Sequence, residues 1–371
     1  MTQPLRVTSK SQVWLVAGGT AGHLHAAASV AAQIASEAHI TLITSDRAID
    51  RAVVADLPYE SVIVRGSGIG RSHRVQAVMR NFASLAGNAK TLAALGRPDV
   101  VVSFGGFHTP FVAYYGRAKG ARVILVEQNA VLGRANRLTG IVATNILAGL
   151  PLALPKRWYG RALLTGNQLR QEVLALASTK DPRAQARLDL GIPRDLKVVV
   201  VTSGSLGARR INEVTEAAMG EVREKFTENK WRWYHFVGAV NGSSETKAQD
   251  EFYVRRGFTP DLYRYLAAAD LVVARAGAST VAEICAFGRA SILIPLPGAP
   301  GDHQSANARV LQEAGAATVI PEDELDVRRL LFEVTTLLDD PARLLGQELG
   351  ARSLARLDAT DVVARQVLAD G

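Results

Sequence analysis

The feature that most restricts the fold is a local pattern that occurs twice. Val13-Trp14-Leu15-Val16-Ala17 is an apolar run of strand length; it enters Gly18-Gly19-Thr20-Ala21-Gly22-His23, and an Ala-rich helical stretch follows from Ala26 to Ile34. About 185 residues later, Lys197 to Val201 enters Thr202-Ser203-Gly204-Ser205-Leu206-Gly207-Ala208-Arg209, with a helical pattern from Ile211. Strand, glycine turn and helix form the opening unit of a Rossmann-like fold. The repeat therefore predicts an α/β chain with two such domains. A chain of 371 residues with 48% hydrophobic content accommodates both cores.

Other strand ends carry polar residues. Val100-Val101-Val102 leads into Ser103-Phe104-Gly105-Gly106-Phe107-His108-Thr109-Pro110, and Arg122 to Val126 ends in Glu127-Gln128-Asn129. Ligands bind at the carboxyl ends of the strands in open α/β sheets, so these loops mark a binding edge in the first half. The strand rhythm breaks around Pro151 to Pro155, and Gly166-Asn167-Gln168-Leu169-Arg170 precedes a polar helical stretch. The domain boundary is expected there.

In the second half, Leu271-Val272-Val273 runs into Ala274-Arg275-Ala276-Gly277-Ala278-Ser279-Thr280-Val281-Ala282-Glu283. Small residues where a strand becomes a helix let a phosphate approach the unsatisfied N–H groups and positive dipole end of the first turn. Glu283 then stands where a carboxylate could accept from a sugar hydroxyl. A purely structural alternative makes Thr280 and Glu283 a capping box. Phe258 precedes a predicted helix, Asp261 to Ala269, and is either a stacking surface for a base or a staple for that helix. Asp302-His303-Gln304 opens another helix, running to Ala314.

Charge and cysteine usage narrow the classes. Forty-three Lys and Arg against 35 Asp and Glu give +8, which suits phosphorylated ligands or an anionic surface. The basic residues are scattered and not interleaved with aromatics, which argues against nucleic acid. Cys285 is the only cysteine, so an intramolecular disulfide is impossible and a reducing cytoplasm is expected. The first residues lack an apolar signal core, and no run approaches the ~18 apolar residues of a spanning helix. No carboxylate pair has metal-ligand spacing. From 71 to 95, the spacing of Val75, Val78, Met79, Phe82 and Leu85, flanked by Arg71, Arg74, Arg80 and Lys90, predicts a basic amphipathic helix that either packs on a sheet or lies on an anionic bilayer. A dinucleotide fingerprint fails because Thr20 and His23 occupy glycine positions, although Asp46 keeps a place suited to a ribose carboxylate.

Taken together, Gly18 to His23, Glu127-Gln128-Asn129, Gly166-Asn167, Ser203 to Arg209, Arg275 to Glu283 and Asp302-His303-Gln304-Ser305-Ala306-Asn307-Ala308 resemble the MurG family. The resemblance spans most of the chain and implies a GT-B fold, two Rossmann-like domains facing across a cleft, with the C-terminal helix returning to the first. The domains are expected at 1–165 with about 350–371, facing acceptor and membrane, and at 166–349, holding the UDP-sugar.

The implied activity is inverting transfer of N-acetylglucosamine from UDP-N-acetylglucosamine to the 4-hydroxyl of undecaprenyl-linked N-acetylmuramoyl pentapeptide, with no cofactor or metal. The alternatives are a GT-B transferase with another lipid or small-molecule acceptor and a non-catalytic nucleotide-sugar binder. The resemblance assigns His23 as general base. For the donor it implies Phe258 and Thr259 at uracil, Glu283 at ribose, Ser205, Ala278, Ser279 and Thr280 at the pyrophosphate, Arg170 toward the phosphates, and His303 and Gln304 at the sugar. For the acceptor it implies Thr20, Ala21, Gly22, Gly105, Gly106 and Asn129. It places the protein on the cytoplasmic face of the bacterial membrane, as a peripheral protein approaching through 71–95. Ala26 and Gln168 stand where the family carries proline, and the loop at Phe107 to Pro110 is a residue short.

Overall fold

The structure is a computed structural model that describes residues 10–64, 87–204, 207–226, 231–239 and 252–369. The basic segment 71–86 and Ser205 therefore lie outside the described residues. The chain divides into two compact units, one made of 1–128, 132–168 and 358–371, the other of 129–131 and 169–357.

The first unit runs β1 (Ser11–Ala17), α1 (Ala21–Ile34), β2 (Ala38–Ser45), α2 (Ala48–Ala55), β3 (Glu60–Val64), α3 (87–94), β4 (Val100–Gly105), α4 (Thr109–Ala118), β5 (Arg122–Glu127), α5 (Arg134–Val142), β6 (Asn145–Ala148) and β7 (Ala162–Leu164). Its seven strands are all parallel, in the order β3-β2-β1-β4-β5-β6-β7. Val13, Leu15, Val100 and Val102 are fully or almost fully buried because helices cover both faces of a parallel sheet, which explains their near-continuous apolar runs.

The second unit continues α6 (Gln171–Ala177), α7 (Pro182–Leu190), β8 (Lys197–Thr202), α8 (Arg209–Phe226), β9 (Trp231–Phe236), β10 (Tyr253–Arg256), α9 (Leu262–Ala268), β11 (Leu271–Ala274), α10 (Ala278–Phe287), β12 (Ala290–Leu293), α11 (His303–Glu313), β13 (Ala317–Val319), α12 (Val327–Asp339) and α13 (Pro341–Leu354). Its six parallel strands are ordered β10-β9-β8-β11-β12-β13. The terminal helix α14 (Ala359–Leu368) belongs to the first unit, where Val363 and Val367 join a core with Leu24, Ala27 and Val30 of α1. Arg122 fixes that helix by donating from Nη2 to the Val367 carbonyl at 2.7 Å.

In each unit the strand order reverses once beside its first strand, between β1 and β4 and between β8 and β11. At such a switch point the loops leaving the two strands diverge and leave a crevice for a ligand. The described residues there are Gly18–Thr20 and Gly106–His108 in the first unit, and Ser203, Gly204, Gly207, Ala208 and Arg275–Gly277 in the second.

Candidate functional site

In the first unit the two glycine turns touch. Gly18 N donates to the Gly105 carbonyl at 3.1 Å, and a side chain on Gly106 would meet the Gly18 carbonyl oxygen at 2.9 Å. Gly105 and Gly106 hold φ of 113° and 123°, a region glycine alone enters cheaply. The imidazole of His23 lies over Gly105, where an added Cβ would stand 2.9 Å from Cε1. Thr20 caps α1, its Oγ1 accepting from His23 N at 3.4 Å, so the start of the helix sets where His23 stands.

His23 Nδ1 is 3.0 Å from the Gly18 carbonyl. A carbonyl only accepts, so Nδ1 carries the proton in neutral imidazole and Nε2 keeps its lone pair. This is the tautomer a proton acceptor at Nε2 requires. Beneath the turn, Asp50 is fully buried; its Oδ1 and Oδ2 accept from Gly19 N at 3.1 and 3.0 Å, and Ser45 Oγ donates to it. The buried ring of His108 closes the other side, 2.7 Å from where a Gly18 Cβ would be, and burial lowers its pKa to about 4. His108 is thus neutral at physiological pH.

Ala21 and Gly22 follow Thr20 in the first turn of α1, so Thr20, Ala21, Gly22, His23, Gly105 and Gly106 share one end of the first sheet. Asn129 belongs to the second unit. Its Oδ1 accepts from Asn307 Nδ2 at 3.0 Å, and the same amide donates to the Ala276 carbonyl at 3.0 Å while Asn307 Oδ1 accepts from Ala130 N at 2.9 Å. Residues 129–131 are therefore bound into the second unit, against the turn before α10.

At that turn the capping-box alternative fails. Gly277 is the N-cap of α10 and makes no side-chain cap bond, which puts Thr280 third and Glu283 sixth in the helix. The N–H groups of Ala278, Ser279 and Thr280 have no intrahelical partner, and glycine brings no side chain to occupy them. Arg275 braces the turn from below, donating to the Ile294 and Pro295 carbonyls at 3.1 and 3.2 Å and pairing with Glu322.

Glu283 lies 3.5 Å from Arg170 Nη2, yet burial outweighs that cation and raises its pKa to about 7. Arg170 also donates to the Pro260 carbonyl at 3.3 Å and lies over the Tyr263 ring at 5.4 Å. Phe258 is 62% exposed, so most of its side chain is open to solvent. Thr259 Oγ1 accepts from Asp261 N at 3.2 Å. Gln304, second in α11, has Oε1 held by Leu296 N at 2.9 Å, which directs its amide N–H groups elsewhere; His303 is the first residue of that helix. Asp302 precedes it at φ 52°, the one left-handed non-glycine among the described residues.

Sequence reading missed several supports. Asp50 shares a helical face with buried Val54, and an acid in an apolar stripe was the available signal. In the second unit, buried His235 bridges Tyr253 Oη at 2.7 Å and Asn212 Oδ1 at 3.0 Å; Ser203 Oγ donates to the same oxygen, and Asn212 Nδ2 reaches the Val237 carbonyl at 3.1 Å. That chain fixes Ser203 at the end of β8 and joins strands distant in sequence. Among the described residues, no group of His, Cys, Asp and Glu is arranged to hold a metal.

Residues 13–148 match the glycosyltransferase family 28 N-terminal domain and residues 198–362 its C-terminal domain. A protein of Methylorubrum populi named UDP-N-acetylglucosamine--N-acetylmuramyl-(pentapeptide) pyrophosphoryl-undecaprenol N-acetylglucosamine transferase is 36% identical over 96% of each chain. A Shewanella baltica protein of the same name is 34% identical over 95% of this chain and 96% of its own. Among solved structures, Acinetobacter baumannii MurG superposes with TM-score 0.74 at 23% identity, over 96% of this chain and 99% of its own. The kitacinnamycin glycosyltransferase superposes with TM-score 0.68 at 16% identity, over 97% and 100%.

Fold and glycine turns thus define a glycosyltransferase of the GT-B class, built from the two domains of family 28. Within that class, the chain belongs to the MurG family.

Proposed function

We propose that this enzyme transfers N-acetylglucosamine from UDP-N-acetylglucosamine to the 4-hydroxyl of undecaprenyl-pyrophosphoryl-N-acetylmuramoyl pentapeptide, inverting the anomeric centre, as a step of peptidoglycan synthesis. The names of its relatives supply donor and acceptor. The observation that carries the donor half is the uncapped amino end of α10, with Glu283 and Arg170 beside it.

In this reading the pyrophosphate lies on the N–H groups of Ala278, Ser279 and Thr280, joined by Ser205 and approached by Arg170. Glu283 accepts from the ribose hydroxyls, and Phe258 stacks on uracil beside the backbone of Thr259. Gln304 and His303 read the sugar. The 1–165 and 350–371 regions serve the acceptor and 166–349 the donor. Thr20, Ala21, Gly22, Gly105 and Gly106 face the acceptor. Asn129 is assigned to the acceptor as well, from its place in the family pattern.

His23 is the general base. The acceptor 4-oxygen forms its bond to the anomeric carbon as the carbon–phosphate oxygen bond breaks; the proton passes to His23 Nε2 and the electron pair leaves with UDP. The dipole and free N–H groups of α10 stabilise the charge growing on that leaving group. The tautomer set by Gly18 supports this role. No described helix is long and apolar enough to cross a membrane. We place the enzyme in the cytoplasm, at the inner face of the membrane, with the basic residues of 71–95 as its contact.

The test is UDP release from UDP-N-acetylglucosamine with and without a short-chain lipid-linked N-acetylmuramoyl-pentapeptide. Acceptor-dependent release with a disaccharide product supports the proposal. UDP binding without transfer to this acceptor rejects it and leaves another acceptor, or none.

A further inference from the structure

The carboxylate of Asp50 and the imidazole of His23 never touch, yet they hold opposite ends of one peptide group. Asp50 accepts from Gly19 N with both oxygens, at 3.1 and 3.0 Å, and the carbonyl of that same amide, Gly18 C=O, accepts from His23 Nδ1 at 3.0 Å. We infer that Asp50 is a positioning residue for transfer, acting on His23 through the Gly18–Gly19 peptide. The inference rests on the reading of His23 as general base.

A peptide group is a conjugated unit. An anion on its N–H increases the negative charge on its carbonyl oxygen, and hydrogen bonds in such a chain polarise one another, the more so away from water. Asp50 is fully buried and none of its described bonds is to a cationic side chain; its ligands are Gly19 N–H and the Ser45 hydroxyl. Such a carboxylate is costly to bury and spends its charge on what it touches. As His23 takes a proton, the imidazolium gains at Nδ1–H a carbonyl already polarised toward it. A carboxylate hydrogen-bonded directly to a catalytic histidine does this at closer range. Here one peptide is interposed.

The surroundings preserve this path. A Cβ on Gly18 would stand 2.8 Å from Asp50 Oδ2 and 2.7 Å from His108 Cε1, and one on Gly106 would press on the Gly18 oxygen at 2.9 Å. Both positions need glycine for close approach, and Gly106, at φ 123°, needs it for its backbone conformation as well. His108, neutral beside Asp50, seals the carboxylate without neutralising it. Arg47, the nearby cation, lies over the Phe107 ring at 5.5 Å.

Asp50→Asn tests the charge while keeping the geometry, since an amide oxygen still accepts from Gly19 N and the amide N–H₂ can donate to Ser45 Oγ. The expected result is a kcat lowered roughly 10- to 100-fold, with donor KM, UDP affinity and Tm close to wild type. In a His23→Ala background, Asp50→Asn should cost nothing further, because its effect runs through the imidazole. A kcat within about twofold of wild type, or losses that multiply in the double variant, overturns the inference. Normal turnover in His23→Ala alone overturns the base assignment and this inference with it, which separates the two failures.

Nitrogen NMR of histidine-labelled wild-type protein at alkaline pH reads the same linkage without relying on a variant's folding. With His23 assigned by its loss in His23→Gln, the signal expected is a protonated Nδ1 and a bare Nε2. The opposite tautomer refutes the path through Gly18.

Discussion

The turns after β1 and after β11 look alike in sequence, small residues leading from an apolar strand into a helix, but they are built to opposite ends. The first is filled from within: Gly19 N–H is taken by Asp50, His23 N–H by Thr20 and the Gly18 carbonyl by His23. The second is left open, with glycine as N-cap and no side chain on the first N–H groups of α10. A turn whose polar groups are engaged can hold a side chain in one orientation. A turn whose donors are unengaged can receive an anion. On this account one motif supplies the base and the other the leaving-group site.

The largest expected break in that contrast is His23→Ala. Turnover should fall about 100- to 10,000-fold, the range of a lost general base, while donor affinity stays. Acceptor-dependent kcat and UDP affinity, measured together, check both halves. Gly105→Ala should come next. Its φ of 113° and the 2.9 Å approach of His23 Cε1 leave no room for a methyl, so kcat should drop about tenfold and stability by about 1–3 kcal/mol. Steady-state kinetics and urea unfolding of the variant read these two effects.

On the open side, pH sharpens the comparison. Glu283 titrates at about 7 because it is buried, and ribose hydroxyls need the carboxylate as acceptor. UDP affinity should weaken several-fold as pH falls from 8 to 6, more steeply than in Glu283→Gln, in which only the phosphate's own titration remains. Calorimetric titration of both proteins at the two pH values decides it. The stability effect has the opposite sense. A pKa raised above the unfolded value favours the native state fully below about 4.5, and the advantage is lost as pH rises through 7. Glu283→Gln should therefore gain stability at pH 8 relative to pH 5, on the order of 1–3 kcal/mol.

Smallest is Tyr253→Phe. His235, held neutral by burial that lowers its pKa to about 3, donates from Nε2 to Asn212 and so accepts from Tyr253. Removing that hydroxyl should cost about 1 kcal/mol in chemical denaturation and loosen Ser203 enough to raise donor KM slightly.

How much of this the sequence disclosed follows from the range of each interaction. Strand-turn-helix units are local, so β1–α1, β8–α8 and β11–α10 were legible from apolar runs and glycines. The return of α14 to the first unit was legible only through the family resemblance, because the partners of Val363 and Val367 on α1 lie more than 300 residues away. Asp50 was not legible as a partner of Gly19, because 31 residues and a register between β1 and β2 separate them. The same holds for Asn129, read with the first half by its place in the chain but tied to Asn307 across 178 residues. For Glu283 the sequence left a capping box and a ribose carboxylate both open; Gly277 as N-cap excludes the box, a difference of three positions that dihedral angles decide and composition does not.

The division of labour between the two turns is tested most directly by titrating UDP into His23→Ala and Glu283→Ala under the same conditions. The account predicts wild-type affinity for the first and a roughly tenfold or greater loss for the second, since removing the partner strands buried hydrogen-bonding groups. Equal losses in both variants, or retained affinity in Glu283→Ala, would contradict it.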